Sequence, residues 1–232
     1  MIGRNRTGLF WTIIMPVAIY VGLSVLPIGT LVGTTQYKVF LLPGIIALTI
    51  MQGGIYTFAY WLTDLRNLGV LRQISATPVN KLTLVYSMIV SRSIVMIAQA
   101  IVLTAVGEIF FDVDVRGSVV WGVVLILLGG SIFLPIGMLI ASFADNYDAA
   151  APITAGIGLP LTFLGNVFYP IQLLPHYLQA ISSYLPLTFL ADALRMVFLH
   201  SDTFFHISTD LLWLLAWGLV VFIGGYWRFQ LD

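Results

Sequence analysis

Long apolar runs separated by short polar links fill the 232 residues of the chain. A spanning helix needs about 20 apolar residues, with every backbone group bonded inside the segment. Six runs approach or exceed that length, at residues 9–31, 40–62, 92–111, 118–143, 149–168 and 211–227. The pattern predicts an all-α integral membrane protein of six transmembrane helices, in one domain over 1–232. Alternating segments of about 10 residues, the mark of a membrane barrel, are absent.

Polar residues inside the runs fall in register. Thr49, Gln52, Gly53, Tyr56, Tyr60 and Thr63 share one face of the second span, and Thr154, Gly158, Thr162 and Asn166 share one face of the fifth. Helix packing through small and hydrogen-bonding residues accounts for both faces. A substrate path lined by Gln52, Tyr56, Tyr60, Thr154, Thr162 and Asn166 is the alternative reading. Pro16 and Pro27 predict a kinked first span or an irregular outer end. Arg92 would lie deep if the run from Leu82 entered the bilayer at once, so 82–91 is expected at the interface or below it, with Arg92 as an anchor.

Two stretches do not read as spans. Residues 170–206 are apolar but broken by Pro170, Pro175, Pro186, Asp192 and Arg195, which predicts short re-entrant or interfacial helices on the outer side, near 175–184 and 187–198. Asp192 and Arg195, three apart on a helix, are expected to pair. Residues 65–78 form a polar island whose leucine spacing suits one amphipathic helix over 65–76, ended by Thr77-Pro78. It is the stretch best suited to contact something outside the bilayer.

Composition supports a membrane protein: 59% of residues are hydrophobic, 9% are charged and mean hydropathy is +1.01. Net charge is zero and cysteine is absent, so neither nucleic-acid binding nor thiol chemistry is indicated. Arg4, Arg6, Arg66, Arg72, Lys81, Arg92 and Arg228 fall on the island's side, and Lys38, Arg116 and Arg195 on the other. Seven against three predicts a cytoplasmic island and cytoplasmic termini in a plasma membrane. The apolar run after Met1 imitates a signal peptide, but its length predicts a retained span. No phosphate-binding loop, hydrolase motif or metal-ligand spacing occurs, and His176, His200 and His206 read as interfacial residues. No catalytic, metal or cofactor site is expected in this chain.

The island, Arg66-Asn67-Leu68-Gly69-Val70-Leu71-Arg72-Gln73-Ile74-Ser75-Ala76-Thr77-Pro78, resembles the R-E-x-G-T-L-x-x-L-x-x-T-P loop of permease subunits in type-2 ABC exporters. Leu42-Pro43-Gly44 is similar to that family's start of the second span. Phe168-Tyr169-Pro170, Leu174-Pro175, Leu185-Pro186-Leu187-Thr188 and Asp192-Ala193-Leu194-Arg195 are similar to its outer ending. The chain departs from the family at Asn67, where Glu is usual, and at Val70, where Thr is usual.

The resemblance implies a half-transporter. Two permease chains, identical or not, form a path for a hydrophobic or amphiphilic substrate, and separate ABC ATPase subunits supply ATP and Mg2+. Docking is expected through Arg66, Leu68, Leu71, Arg72, Ile74, Thr77 and Pro78, and an outer gate at Tyr169, Pro170, Pro175 and Pro186. A partner-binding or immunity-type membrane protein and an ATP-independent channel or carrier are the other readings of the same residues.

Overall fold

The apolar run that starts at Tyr37 makes a helix of 31 residues, continuous to Asn67, which forms the axis of the bundle. In the computed structural model, which describes residues 6–32, 35–75, 80–115, 117–199 and 204–228, every residue from Leu41 to Met51 on this helix is buried. Its apolar stretch is 72% buried, against 28% for the helix over Thr83–Phe111 and 22% for the helix over Ser208–Gly225. The axis helix has three pieces in line: α2 (Tyr37–Gln52), a π-helical turn (Gly53–Phe58) and α3 (Ala59–Asn67).

Around it lie α1 (Arg6–Ser24), α5 (Lys81–Phe111), α6 (Val119–Phe143), α7 (Tyr147–Leu164), α9 (Pro186–Leu199) and α10 (Phe204–Arg228), with the short helices α4 (Val70–Ser75) and α8 (His176–Ser182). Glycines set the closest approaches. A Cβ on Gly137 of α6 would lie 2.2 Å from the Gly54 carbonyl oxygen, and one on Gly54 would lie 2.5 Å from the Phe133 backbone. The π turn and α6 therefore meet backbone to backbone, which small residues permit and larger ones forbid.

Several boundaries differ from the sequence expectation. The first helix ends at Ser24, and the chain then turns through Pro27 into a hairpin, β1 (Thr30–Val32) paired antiparallel with β2 (Thr35–Gln36). Pro27 has no N–H to continue the helix, so the last residues of 9–31 leave it. The second span extends past 40–62 at both ends. The helix expected over 65–76 is cut in two at Gly69, whose φ of +69° ends α3 in the left-handed conformation that glycine adopts freely. The third span, expected at 92–111, is a single 31-residue helix from Lys81, about 46 Å long and so longer than a bilayer core. It carries Arg92 over the ring of Trp61 at 4.6 Å. The fifth stops at Leu164 rather than 168. Of the outer segment expected at 170–206, residues 170–199 give α8 and α9, which meet at 79°, residues 200–203 lie outside the described residues, and the last helix already starts at Phe204. Much of α9 is buried in the bundle, so it does not lie along the surface.

Among the described residues four helices are long and apolar enough to cross a membrane, or five if α8 and α9 count as one bent span. The apolar part of α1, Thr12–Ser24, is shorter, and α7 is an 18-residue helix about 27 Å long with Pro152 and Pro160 inside it.

Pro16 shows how α5 repairs a helix defect in α1. Without an N–H on Pro16, the Thr12 carbonyl loses its i+4 donor. Gln99 of α5, only 6% exposed, donates its Nε2 to that carbonyl at 2.8 Å. Gln99→Leu should destabilise the purified protein by about 1–3 kcal/mol, the cost of a buried group left unbonded. In a Pro16→Ala background, which restores the backbone donor, the same change should cost clearly less. Thermal unfolding of the four variants in detergent measures the coupling.

Candidate functional site: an outer node, a docking turn and a polar step

The three segments Leu42-Pro43-Gly44, Asn166 to Pro170 and Asp192 to Arg195 converge on one side chain. Arg195 of α9 is 8% exposed. Its Nη1 donates to Asp192 Oδ1 at 2.9 Å, its Nε to the Phe40 carbonyl at 3.2 Å, and its Nη2 to the carbonyls of Asn166 and Val167. The Phe40 ring lies 3.7 Å from the guanidinium carbon. A guanidinium presents five donors in one plane, so it can hold α2, the α7–α8 link and its own helix together.

The surroundings are shaped to this contact. Asn166 takes a φ of +55°, which turns its carbonyl toward Arg195, and its Nδ2 donates to Asp192 Oδ1 at 2.6 Å. The Asn166 Oδ1 is buried without a partner among the described residues. A Cβ on Gly44 would lie 2.5 Å from the Val167 carbonyl oxygen and 3.0 Å from Arg195 Nη2, so the glycine is required by space. Pro170 is buried, Pro186 is buried at the first position of α9, where a proline loses no bond, and Pro175 is exposed before α8. Tyr169 donates its hydroxyl to the Phe163 carbonyl. Ser182 reaches back to the Leu164 carbonyl and Thr188 donates to the Ser182 carbonyl at 2.6 Å, fixing the bend between α8 and α9.

At the other end of the axis helix the island residues separate by role. Arg66 donates Nη1 to the Ala141 carbonyl at 2.8 Å, in the last turn of α6, where carbonyls lack helical donors and a cation is favoured. Leu71 is 1% exposed and belongs to the core, whereas Leu68 is 73% exposed. Ile74 is half-buried and Gln73 exposed. Arg72 lies in α4, and Thr77 and Pro78 lie outside the described residues. Of the residues expected to dock, the half-buried Arg66 and the buried Leu71 thus make contacts within the chain, and Leu68 is exposed.

The polar faces of the second and fifth spans meet inside one chain. Tyr60 and Thr154 share a hydrogen bond of 2.7 Å, and Thr154 is fully buried. Thr162 bonds back to the Gly158 carbonyl at 2.7 Å. Tyr56 lies against Gly158, where a Cβ would come 2.3 Å from its hydroxyl. Tyr60, Thr154 and Thr162 thus bond within the chain, and Asn166 bonds Asp192 beside Arg195. Gln52 and Tyr56 are half-buried, and neither makes a side-chain hydrogen bond among the described residues. Sequence reasoning missed Phe40 and Gln99; the Leu-Pro-Gly step was the signal for the former, and Pro16 four residues after Thr12 for the latter. No group of three or more His, Asp or Glu residues is placed to hold a metal among the described residues.

A buried helical axis, long apolar helices around it and a short exposed turn at one end define a multi-pass, all-α membrane protein. Its residues 32–227 match the family described as ABC-2 family transporter protein, and the chain belongs to that family. It is 24% identical over 196 residues to the inner membrane transport permease YadH of Escherichia coli K12, covering 80% of this chain and 75% of that one. It is 23% identical over 188 residues to the putative transport permease YvfS of Bacillus subtilis 168, covering 79% and 75%. It is 23% identical over 186 residues to the probable multidrug ABC transporter permease YbhR of Escherichia coli K12, covering 80% of this chain and 49% of that protein. The chain is accordingly a transport permease, a non-catalytic membrane subunit.

Removing one partner of a buried pair costs about 3–5 kcal/mol, because the other charge stays unpaired, whereas removing both recovers part of it. Asp192→Asn together with Arg195→Met should therefore be more stable in thermal unfolding than Arg195→Met alone. Gly44→Ala should lose about 1–3 kcal/mol by overpacking.

Proposed function

We propose that this permease is the membrane half of an ATP-driven exporter. It pairs with a second permease chain, identical or a sister, and separate ABC ATPase subunits that bind ATP and Mg2+ drive it from the cytoplasmic side. The substrate is hydrophobic or amphiphilic. The observation that carries this reading is the exposed turn at Leu68 followed by α4, hung on the end of the buried axis helix. The other end of that helix is tied to the outer node through Phe40 and Gly44.

A push on α4 and Leu68 has a direct path outward. α3, the π turn and α2 form one continuous helix, and its far end touches Arg195. Residues 164–186 shape the exit, with Tyr169, Pro170, Pro175 and Pro186 at the bends. The excess of Lys and Arg on the side of the island supports a cytoplasmic docking face and cytoplasmic termini. A name such as that of YbhR supports drug-like substrates for a relative, and the apolar spans are compatible with them.

Affinity for the ATPase is the direct test. Burying one leucine contributes about 1.5–3 kcal/mol, so Leu68→Asp should weaken co-purification with the ATPase chain by tenfold or more while leaving the permease monodisperse. Leu71→Asp should instead fail to give folded protein. Unchanged co-purification for Leu68→Asp, or vesicles bearing both subunits in which ATP changes no flux, would contradict the proposal.

A further inference from the structure

Halfway along the axis helix the backbone widens into a π turn, and three polar side chains at or beside that turn make no side-chain hydrogen bond among the described residues. Gln52 is the sixteenth of the 31 residues from Tyr37 to Asn67, so about 22 Å of helix lies on either side of it. Gln52 and Tyr56 are half-buried and Thr57 is exposed; none makes a side-chain hydrogen bond among the described residues. In contrast, Thr49, Tyr60, Thr63, Thr154 and Thr162 all have one.

Polar groups left unbonded at mid-membrane are costly against lipid, so a face that keeps three of them meets something other than acyl chains. π turns inside longer helices occur often at functional sites, because the extra residue re-aims side chains. Here the extra residue sits between two glycines, Gly53 and Gly54, and the tyrosine that packs on Gly158. The flanking sequence is free of charge. No Asp, Glu, Lys or Arg occurs between Lys38 and Asp64, or between Asp148 and Asp192. Arg92 lies over the rings of the fully buried Phe58, at 6.0 Å, and of Trp61, at 4.6 Å. A cation crossing the step would find tyrosine faces but no carboxylate, and an anion would find no cation.

We propose that Gln52, Tyr56 and Thr57 form a neutral hydrogen-bonding step in the passage, selective for an uncharged amphiphile with hydroxyl, amide or ester groups over a permanently charged one of equal size. This rests on the exporter reading and names its substrate class. Gln52 accepts and donates, the two hydroxyls do both, and all three can follow a neutral head group without a change in protonation.

The test is ATP-dependent flux in vesicles containing the permease and its ATPase chain, with two fluorescent probes of the same acyl chain. One carries a glycerol head group, the other a trimethylammonium. Wild type should move the glycerol probe at least about tenfold faster, a modest fraction of what sites built for hydrogen bonding can discriminate. Gln52→Leu and the near-isosteric Thr57→Val should each lower glycerol-probe flux several-fold while the ammonium probe changes little. Gln52→Glu should shift the preference toward the ammonium. Co-purification with the ATPase confirms that each variant assembles. Equal effects on both probes would overturn the step, and loss of assembly in Thr57→Val would do so in favour of contact with the second permease chain. If wild type moves neither probe with ATP, the exporter reading falls and the step with it.

Discussion

A guanidinium that is 8% exposed inside an apolar bundle must be given acceptors, since an unpaired buried charge costs several kcal/mol. Arg195 takes them from a carboxylate one turn back on α9, from the start of α2 and from the link after α7. That need sets much of the local backbone. Asn166 is held at positive φ so that its carbonyl points inward, Gly44 carries no side chain, and α9 is drawn into the bundle rather than left on its surface.

The same helix that receives Arg195 runs the full depth of the protein. Its packing against α6 is backbone to backbone at Gly54 and Gly137, and against α7 it is closed by the Tyr60–Thr154 bond. These contacts leave little freedom for the lower half to move without the upper. Arg66, bonded to the end of α6, joins the turn at Leu68 to a second long helix. In the exporter proposed above, such a linkage would carry a force entering at one surface to the other.

Much of this was legible in the sequence. Runs of apolar residues located α6 nearly to the residue, because length and hydropathy alone define it. Proline and charge placement located α8 and α9, and i, i+3 spacing joined Asp192 to Arg195. Regular spacing also found the faces of the second and fifth spans, although it could not tell that Tyr60 and Thr154 satisfy each other within the chain. What escaped depends on neighbours distant in sequence. The island has a helical leucine pattern, yet the left-handed Gly69 divides it, so Leu68 and Leu71 point to different environments. Arg66 looks like a surface cation until the Ala141 carbonyl is placed beside it. Residues 25–31 read as the end of a span by hydropathy, but Pro27 and the first strand of the hairpin take them out of it.

The central claim is that the docking turn and the outer node are two ends of one mechanical unit. Hydrogen exchange, read peptide by peptide on the assembled complex with and without a non-hydrolysable ATP analogue, tests it most directly. The account predicts that protection changes over residues 66–75 and, in the same nucleotide state, over residues 164–175, more than 80 residues away along the chain. A change confined to 66–75, with exchange over 164–175 identical in both states, would contradict it.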